Sequence, residues 1–97
     1  MIRTSDHRVH HIVSVGRLVA TPGVLETFDG HFLGECLKAH CSGDWGIMCA
    51  DDKLVNDAAV EMRGQVHSAY QDEHLNKVWI ITEPGWGTTT ILLPEEY

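Results

Sequence analysis

The hydrophobic positions of this 97-residue chain follow two different periods. In residues 9–15, VHHIVSV, apolar and polar side chains alternate, which predicts a strand, with residues 17–20 as its continuation. From Thr21 to Gly64 apolar positions recur every three or four residues, which is typical of helices that bury one face. After Gly64 the period returns to two, so the chain is expected to end in strands.

Two short helices are predicted in the first helical stretch. Thr21 followed by Pro22 is a helix start signal, because Thr can cap the helix and Pro is tolerated at its first position. Asp29–Gly30 then stops this helix and turns the chain. A second helix over residues 31–41 carries apolar side chains at helical spacing and ends before the SGDWG segment.

A third helix is predicted over residues 51–63, DDKLVNDAAVEMR. Asp51 or Asp52 is expected to cap its positively polarised end. The apolar residues of this segment form one stripe, which is expected to face the core. The stripe consists of Leu54, Val55, Ala58, Ala59 and Met62.

Three strands are predicted in the last third, over residues 66–70, 77–82 and 88–93, which are rich in β-branched and aromatic residues. The short, turn-like loops between them favour antiparallel hairpins. Helices that are separated in sequence from a run of strands indicate an α+β fold. We therefore expect an antiparallel sheet of about four strands, with two or three short helices packed on one face.

The length of the chain predicts a single domain over residues 1–97, with residues 1–8 as a flexible tail. Hydrophobic residues make up 43% and charged residues 22% of the chain, which is ordinary for a folded domain. No apolar run approaches the ~18 residues that a membrane helix needs. The polar N-terminal segment lacks the apolar core of a signal peptide, so a cytoplasmic protein without a membrane partner is expected.

The net charge of −7 limits the classes of partner. Nucleic-acid binding depends on clustered Lys and Arg, and the seven basic residues here are scattered, so direct binding of nucleic acid is not expected. An acidic surface can attract a basic protein partner, although it can also serve only to keep a small domain soluble.

Cysteine and histidine residues offer a candidate metal site. Cys36 and His40 lie one helical turn apart, and Cys41, Cys49 or the histidines of residues 7–11 could add zinc ligands. However, the chain has no C-x-x-C pair, and Cys36 lies on an apolar stripe where a buried cysteine is the simpler interpretation. No metal and no cofactor is therefore predicted.

Acid–base chemistry would need a histidine and a carboxylate in one cleft. His40 with Asp44 or Glu83 is the candidate pair for a small hydrolytic or nucleic-acid-processing enzyme. The alternative for Asp44, between two glycines, is a turn residue whose side chain bonds nearby backbone N–H groups. No phosphate-binding loop or Ser-His-Asp pattern is present.

Tryptophan residues supply a candidate interaction anchor. Trp79 lies in an apolar strand, and Trp45 lies in the glycine-rich SGDWG segment. Trp86, in the loop PGWG, has little local cover, so it either anchors a partner or folds back on the sheet. Trp86 is taken as the candidate interaction anchor.

Several segments resemble a family of small proteins encoded on bacterial plasmids, integrative elements and other mobile DNA, which are often described only as plasmid-related. The segments are GRLVATPGVLE, SGDWG, SAY, VWIITE and TTILLPEEY, and the resemblance spans residues 16–97. This family has no established activity, so the resemblance implies a genetic context and no chemistry. Its pattern includes Thr21, Pro22, Gly23, His40, Gly43, Asp44, Trp45, Gly46, Asn56, Tyr70, Trp79, Thr82, Glu83, Thr89, Leu93, Pro94 and Tyr97.

The chain also departs from that pattern. The three cysteines do not belong to it, which argues further against a thiol or metal site. Relatives carry an arginine-containing loop after ITE, where this chain has PGWG, so a function that depends on that loop is not implied here.

We interpret residues 40–52, HCSGDWGIMCADD, as a structural corner between two helices. His40, Asp44 and Trp45 are expected to lock this corner by hydrogen bonding and packing. A functional site, if present, is expected beside it, and the residues expected to converge there are Asn56, Thr82 and Glu83.

The first hypothesis is an acidic accessory protein of mobile DNA that binds another protein without catalysis. The enzyme using His40 with Asp44 or Glu83 is the first alternative, and a metal-binding domain built from His and Cys is the second. A homodimer is a further option, because the edge strands of a small sheet can pair with another copy.

Overall fold

The computed structural model describes residues 11–97. In chain order the elements are β1 (Arg17–Ala20), α1 (Pro22–Thr27), α2 (Gly30–Cys41), α3 (Ala50–Glu61), β2 (Val66–Gln71), β3 (Lys77–Thr82) and β4 (Thr88–Leu92), followed by a 3₁₀ turn (Pro94–Glu96). The α+β fold predicted from the sequence is confirmed. None of the helices within residues 11–97 is long and apolar enough to cross a membrane.

The four strands form one sheet in the order β1-β4-β3-β2. The last three strands pair antiparallel, as their short connections predict. β1 pairs with β4 in parallel, so the sheet is mixed rather than wholly antiparallel. This arrangement places β1 and β2 at the two edges of the sheet.

The first strand lies later in the chain than the alternating pattern predicts. Val9 and His10 lie outside the described residues, and residues 11–15 form no strand. The backbone N–H groups of Ile12 and Val13 both donate to the Cys41 carbonyl, which docks this segment on the end of α2. Gly16 then takes a φ of 62°, a left-handed conformation that ends the extended path before β1 begins.

The main core lies between α1, α2 and one face of the sheet, which we call the inner face. The Thr21 hydroxyl accepts a hydrogen bond from Val24 N and so caps α1, and the Asp29 carboxylate accepts from Phe32 N and caps α2. These caps satisfy free N–H groups at the helix starts and fix where both helices begin. The buried side chains of this core are Val24, Phe28, Leu33, Cys36, Val78, Ile80 and Ile91.

Helix α3 begins differently from the prediction. Its N-cap is Cys49, which makes no side-chain capping hydrogen bond, whereas Asp51 and Asp52 both lie in the first helical turn. Carboxylates in a first turn still favour the helix through its dipole, although they do not satisfy its free N–H groups as a cap does.

Most of the apolar stripe of α3 faces solvent, so the prediction that the stripe faces the core is wrong except for Ala59, which packs against a second buried cluster. Leu54 is 66% exposed, Val55 65% and Met62 77%. Asn56 is the buried residue of this helix. Because residues two positions apart on a helix point about 200° apart, turning Asn56 inward turns Leu54 and Ala58 outward.

Asn56 turns inward because it hydrogen-bonds the free edge of the sheet. Its Nδ2 donates to the His67 carbonyl at 2.7 Å, and its Oδ1 accepts from His67 N at 3.1 Å. Next along β2, Ala69 N donates to the Trp45 carbonyl and Ile47 N donates to the Ala69 carbonyl. The edge groups of His67 and Ala69, which could otherwise pair with another strand, are thereby satisfied within the chain.

Replacing Asn56 with Ala should therefore destabilise the fold, because the edge N–H and C=O of His67 would both lose their partner. We expect a loss of about 2 kcal/mol in the free energy of unfolding. The measurement is urea denaturation followed by circular dichroism. Leu54→Ala on the exposed side of the same helix is the control and should change stability by less than about 0.5 kcal/mol. Equal losses in the two variants would show that the edge contacts do not stabilise the fold.

Candidate functional site

The SGDWG segment forms a tight corner, as the sequence predicts. Gly46 has a φ of 74°, and a Cβ at this position would overlap the Ala69 carbonyl oxygen, so both the backbone angle and the close approach require glycine. The Asp44 carboxylate accepts a hydrogen bond from Gly46 N at 3.1 Å. The Tyr70 hydroxyl donates to the Asp44 carbonyl at 2.6 Å, which ties the corner to β2.

Beneath this corner His40 lies at the centre of a hydrogen-bonded chain, and its exposed fraction is 0%. The Nδ1 atom lies 2.7 Å from the Ser68 hydroxyl, and the Nε2 atom lies 2.8 Å from the Thr82 hydroxyl. The Thr82 hydroxyl lies 2.7 Å from the Thr89 hydroxyl, which donates to the Val15 carbonyl at 2.8 Å. These hydrogen bonds thus link α2 to β2, β3 and β4, and to the segment before β1.

The direction of each bond in this chain follows from its last acceptor. A carbonyl can only accept, so the Thr89 hydroxyl donates its single hydrogen to the Val15 carbonyl. Thr82 must then donate to Thr89, and His40 Nε2–H must donate to Thr82. A neutral imidazole with its hydrogen on Nε2 leaves Nδ1 free to accept from the Ser68 hydroxyl. One tautomer of His40 therefore satisfies every group in the chain.

Burial keeps His40 in this neutral form. Desolvation lowers the pKa of His40 to about 4, and the nearby His67 lowers it in the same direction. A protonated His40 would place an unpaired charge in the core, and its Nδ1 could no longer accept from Ser68.

Trp45 covers His40 on one side. The two rings make an edge-to-face contact with centroids 5.8 Å apart. The indole Nε1 donates to the Asp57 carboxylate at 2.8 Å, which joins the corner to α3. His40 and Trp45 therefore lie together at the corner, as the sequence analysis expects.

The remaining candidate residues do not converge on one open site. Thr82 contacts His40 directly, but Asn56 is engaged with the edge of β2. Glu83 is exposed. Asp44 holds the glycine corner, and neither carboxylate contacts His40, whose two ring nitrogens are bonded to hydroxyls. The histidine–carboxylate pair that the enzyme hypothesis requires is therefore not formed.

Trp86 is not exposed, so its assignment as an interaction anchor is corrected. Its side chain is 6% exposed, and its Nε1 donates to the Gly64 carbonyl at 2.9 Å. The Arg63 guanidinium lies 4.6 Å from the centre of the indole ring. The tryptophan folds back because these contacts satisfy its N–H and cover its ring, which is the second of the two alternatives for this residue.

The cysteines are free thiols that lie apart from any cluster of metal ligands. Cys36 and Cys41 are buried, and Cys49 is exposed. Burial raises the pKa of the Cys36 thiol to about 11, which keeps it protonated at neutral pH. Across the part of the chain that the structure describes, no group of three or more His, Cys, Asp or Glu side chains could hold a metal ion.

Comparisons of the chain with models of protein families, with curated proteins and with solved structures found no match. The function therefore has to be inferred from the chain's own residues.

Two surface features lie away from the buried corner. The first, which we call the α3 surface, consists of the exposed apolar side chains Leu54, Val55, Ala58 and Met62. The second, which we call the outer cleft, is a cavity of about 510 Å³ on the other face of the sheet, and its lining includes Asp52, Val55, His67 and Trp79. Val55 belongs to both features, so they adjoin.

The sequence analysis did not identify several residues of the His40 hydrogen-bonded chain and of the outer cleft. Ser68 and Thr89 complete the hydrogen-bonded chain through His40. Ser68 has no signal except its inward position in a strand whose other inward positions are apolar, and Thr89 belongs to the pattern of the resembling family without an assigned role. His67 and Asp52 of the outer cleft carry no recognisable motif, because a strand edge and a helix bring them together from distant positions.

The pKa of His40 generates a prediction about acid stability. Because the folded-state pKa lies below the ordinary value of 6.5, the unfolded chain takes up a proton that the folded chain rejects. The stabilisation is fully present above about pH 6.5 and is lost as the pH falls towards about 4. Between about pH 7 and about pH 4, the titration of His40 should lower the free energy of unfolding by roughly 3 kcal/mol.

The measurement is urea denaturation across this pH range for the wild type and for His40→Gln, whose side chain does not titrate. The variant should be less stable at neutral pH, yet it should lose less stability on acidification. Parallel stability curves for the two proteins would contradict the assignment of a neutral buried imidazole.

Proposed function

We propose that this protein is a non-catalytic accessory protein of mobile DNA that acts by binding another protein through the α3 surface. The observation that carries the proposal is that α3 has an apolar stripe of regular helical spacing and turns it towards solvent. Its buried residue, Asn56, is polar. Ala59 and Val60 pack against a buried cluster, whereas Leu54, Val55 and Met62 of the same helix remain exposed.

The composition of this face favours a binding role. Leu54, Val55 and Met62 are each about two thirds exposed or more. Burying one such side chain contributes roughly 1.5–3 kcal/mol, so three of them offer a substantial part of the free energy of a protein contact. Single exposed apolar residues are common on soluble proteins, whereas contiguous apolar patches are a feature of interaction sites.

Charge selects the kind of partner. Two exposed acidic residues, Asp57 and Glu61, lie beside the apolar stripe on α3, and the whole chain carries a net charge of −7. A second copy of the chain would bring like charges together on this face. A partner with an amphipathic helix that is basic along its sides would instead meet opposite charge around an apolar centre.

The buried state of His40 favours binding over catalysis. Both of its ring nitrogens are bonded, and its exposed fraction is 0%, so no substrate atom can reach it without opening the core. The mobile-DNA part of the proposal rests on the resemblance carried by SGDWG, VWIITE and TTILLPEEY.

The test is a titration with a labelled basic amphipathic peptide of roughly 18 residues, about five helical turns, containing Leu, Lys and Arg. Binding is measured by fluorescence anisotropy. We expect the wild type to bind and the double variant Leu54→Ser/Met62→Ser to bind at least about tenfold more weakly, because it loses apolar burial at the centre of the contact.

The matched control is Leu25→Ser, which removes a leucine that is 62% exposed on another helix. This variant should bind like the wild type. A peptide of the same composition in scrambled order controls for attraction by charge alone. Equal binding by the wild type and the double variant would refute the α3 surface as the contact.

A further inference from the structure

The outer cleft lies beside the α3 surface and has a different chemical character. Asp52 and Val55 of α3 form one wall, and His67 of β2 and Trp79 of β3 form the other. Its volume of about 510 Å³ falls within the ~300–1,000 Å³ typical of cavities that hold small ligands. A partner that covers Val55 would also lie over this cleft.

Aromatic rings line one wall of the cleft. His67 packs edge-on against Trp79 with ring centroids 4.6 Å apart, and Tyr97 packs edge-on against the same indole at 5.7 Å. Trp79 is only partly buried, and it lines the cleft. The face of an indole attracts cations, and an arginine guanidinium can stack on it within about 6 Å.

The charges in the cleft also favour a cation. The Asp52 carboxylate is exposed at its rim. Burial lowers the pKa of His67, an effect that Asp52 partly opposes, so this ring is neutral at pH 7 and does not repel a positive group. Among the described residues, His67 Nε2 is the buried side-chain polar atom that has no hydrogen-bond partner.

We propose that the outer cleft is a subsite for an arginine side chain of the protein that binds the α3 surface. This inference rests on the proposed function and specifies its partner. The guanidinium would stack on the Trp79 indole and donate hydrogen bonds to the Asp52 carboxylate. Apolar contacts on the α3 surface would then supply affinity, while the arginine in the cleft would fix the register of the partner.

Arginine fits this site better than lysine. Its planar guanidinium can stack on an indole and bind a carboxylate with two parallel hydrogen bonds, whereas an ammonium offers a single compact charge. The chain itself contains an example of this stacking, because the Arg63 guanidinium lies 4.6 Å from the centre of the Trp86 ring.

The experiment compares two adjacent carboxylates of the same helical turn. Asp52→Asn removes the charge that lines the cleft, and Asp51→Asn removes a neighbouring charge that does not line it. The probe is a basic amphipathic peptide with one arginine at its centre, together with versions in which that arginine is replaced by citrulline, which has a similar shape without charge, or by lysine.

We expect Asp52→Asn to weaken binding of the arginine peptide roughly fivefold and Asp51→Asn to weaken it less than about twofold. The citrulline peptide should bind the wild type more weakly than the arginine peptide does. It should bind Asp52→Asn and the wild type with equal affinity. In a parallel titration with N-acetyl-arginine amide, the Trp79 indole N–H resonance should shift in the wild type and shift less in Asp52→Asn.

Equal effects of the two Asp variants, or citrulline and arginine peptides of equal affinity, would overturn the subsite. Binding by the lysine peptide as tight as by the arginine peptide would overturn the preference for a guanidinium. These failures would leave the α3 surface intact, since a failure of that surface appears separately as binding that is indifferent to replacement of Leu54 and Met62.

Discussion

One buried imidazole joins most of this fold. His40 lies in the last turn of α2 and hydrogen-bonds Ser68 on β2 and Thr82 on β3. The hydrogen bonds continue from Thr82 through Thr89 on β4 to the carbonyl of Val15. Only one placement of the hydrogens lets every side chain in this hydrogen-bonded chain both donate and accept as required. The hydrogen-bonded chain is therefore complete only when the helix, the strands and the N-terminal segment are all in place. A partly satisfied network in a water-free core would be worse than an apolar one, which makes this arrangement a strong constraint on a single structure.

Much of the architecture could be predicted from local sequence signals. Thr21 with Pro22 marks the start of the first helix, since capping chemistry acts over only three residues. Asp29 and Gly30 are expected to stop that helix and turn the chain, but Asp29 is also the N-cap of α2 and Gly30 its first residue. The glycine-rich corner is local only in part, because the positive φ of Gly46 belongs to the turn itself, whereas the close approach to the Ala69 carbonyl depends on a distant strand. The first strand could not be placed, because residues 11–15 alternate like a strand but are held by the Cys41 carbonyl on the end of α2.

Helix α3 shows why an amphipathic pattern does not decide which face is buried. The stripe through Leu54 and Met62 establishes that one face is apolar, and burial in the core is the ordinary consequence. Here the sheet edge offers two unpaired backbone groups at His67, and Asn56 can satisfy both while an apolar side chain can satisfy neither. The outer cleft escaped prediction for a related reason, since it exists only where this helix meets the edge of β2.

The Asn56 contact has a consequence for how copies of this protein could assemble. Side-chain and corner contacts occupy β2, so strand addition at that end of the sheet is blocked around His67 and Ala69, and among the described elements β1 is the edge left for it. Two copies that joined through β1 would form an eight-stranded continuous sheet with a blocked strand at each end. Growth would stop at that pair, so the geometry permits a closed dimer and opposes an open-ended filament.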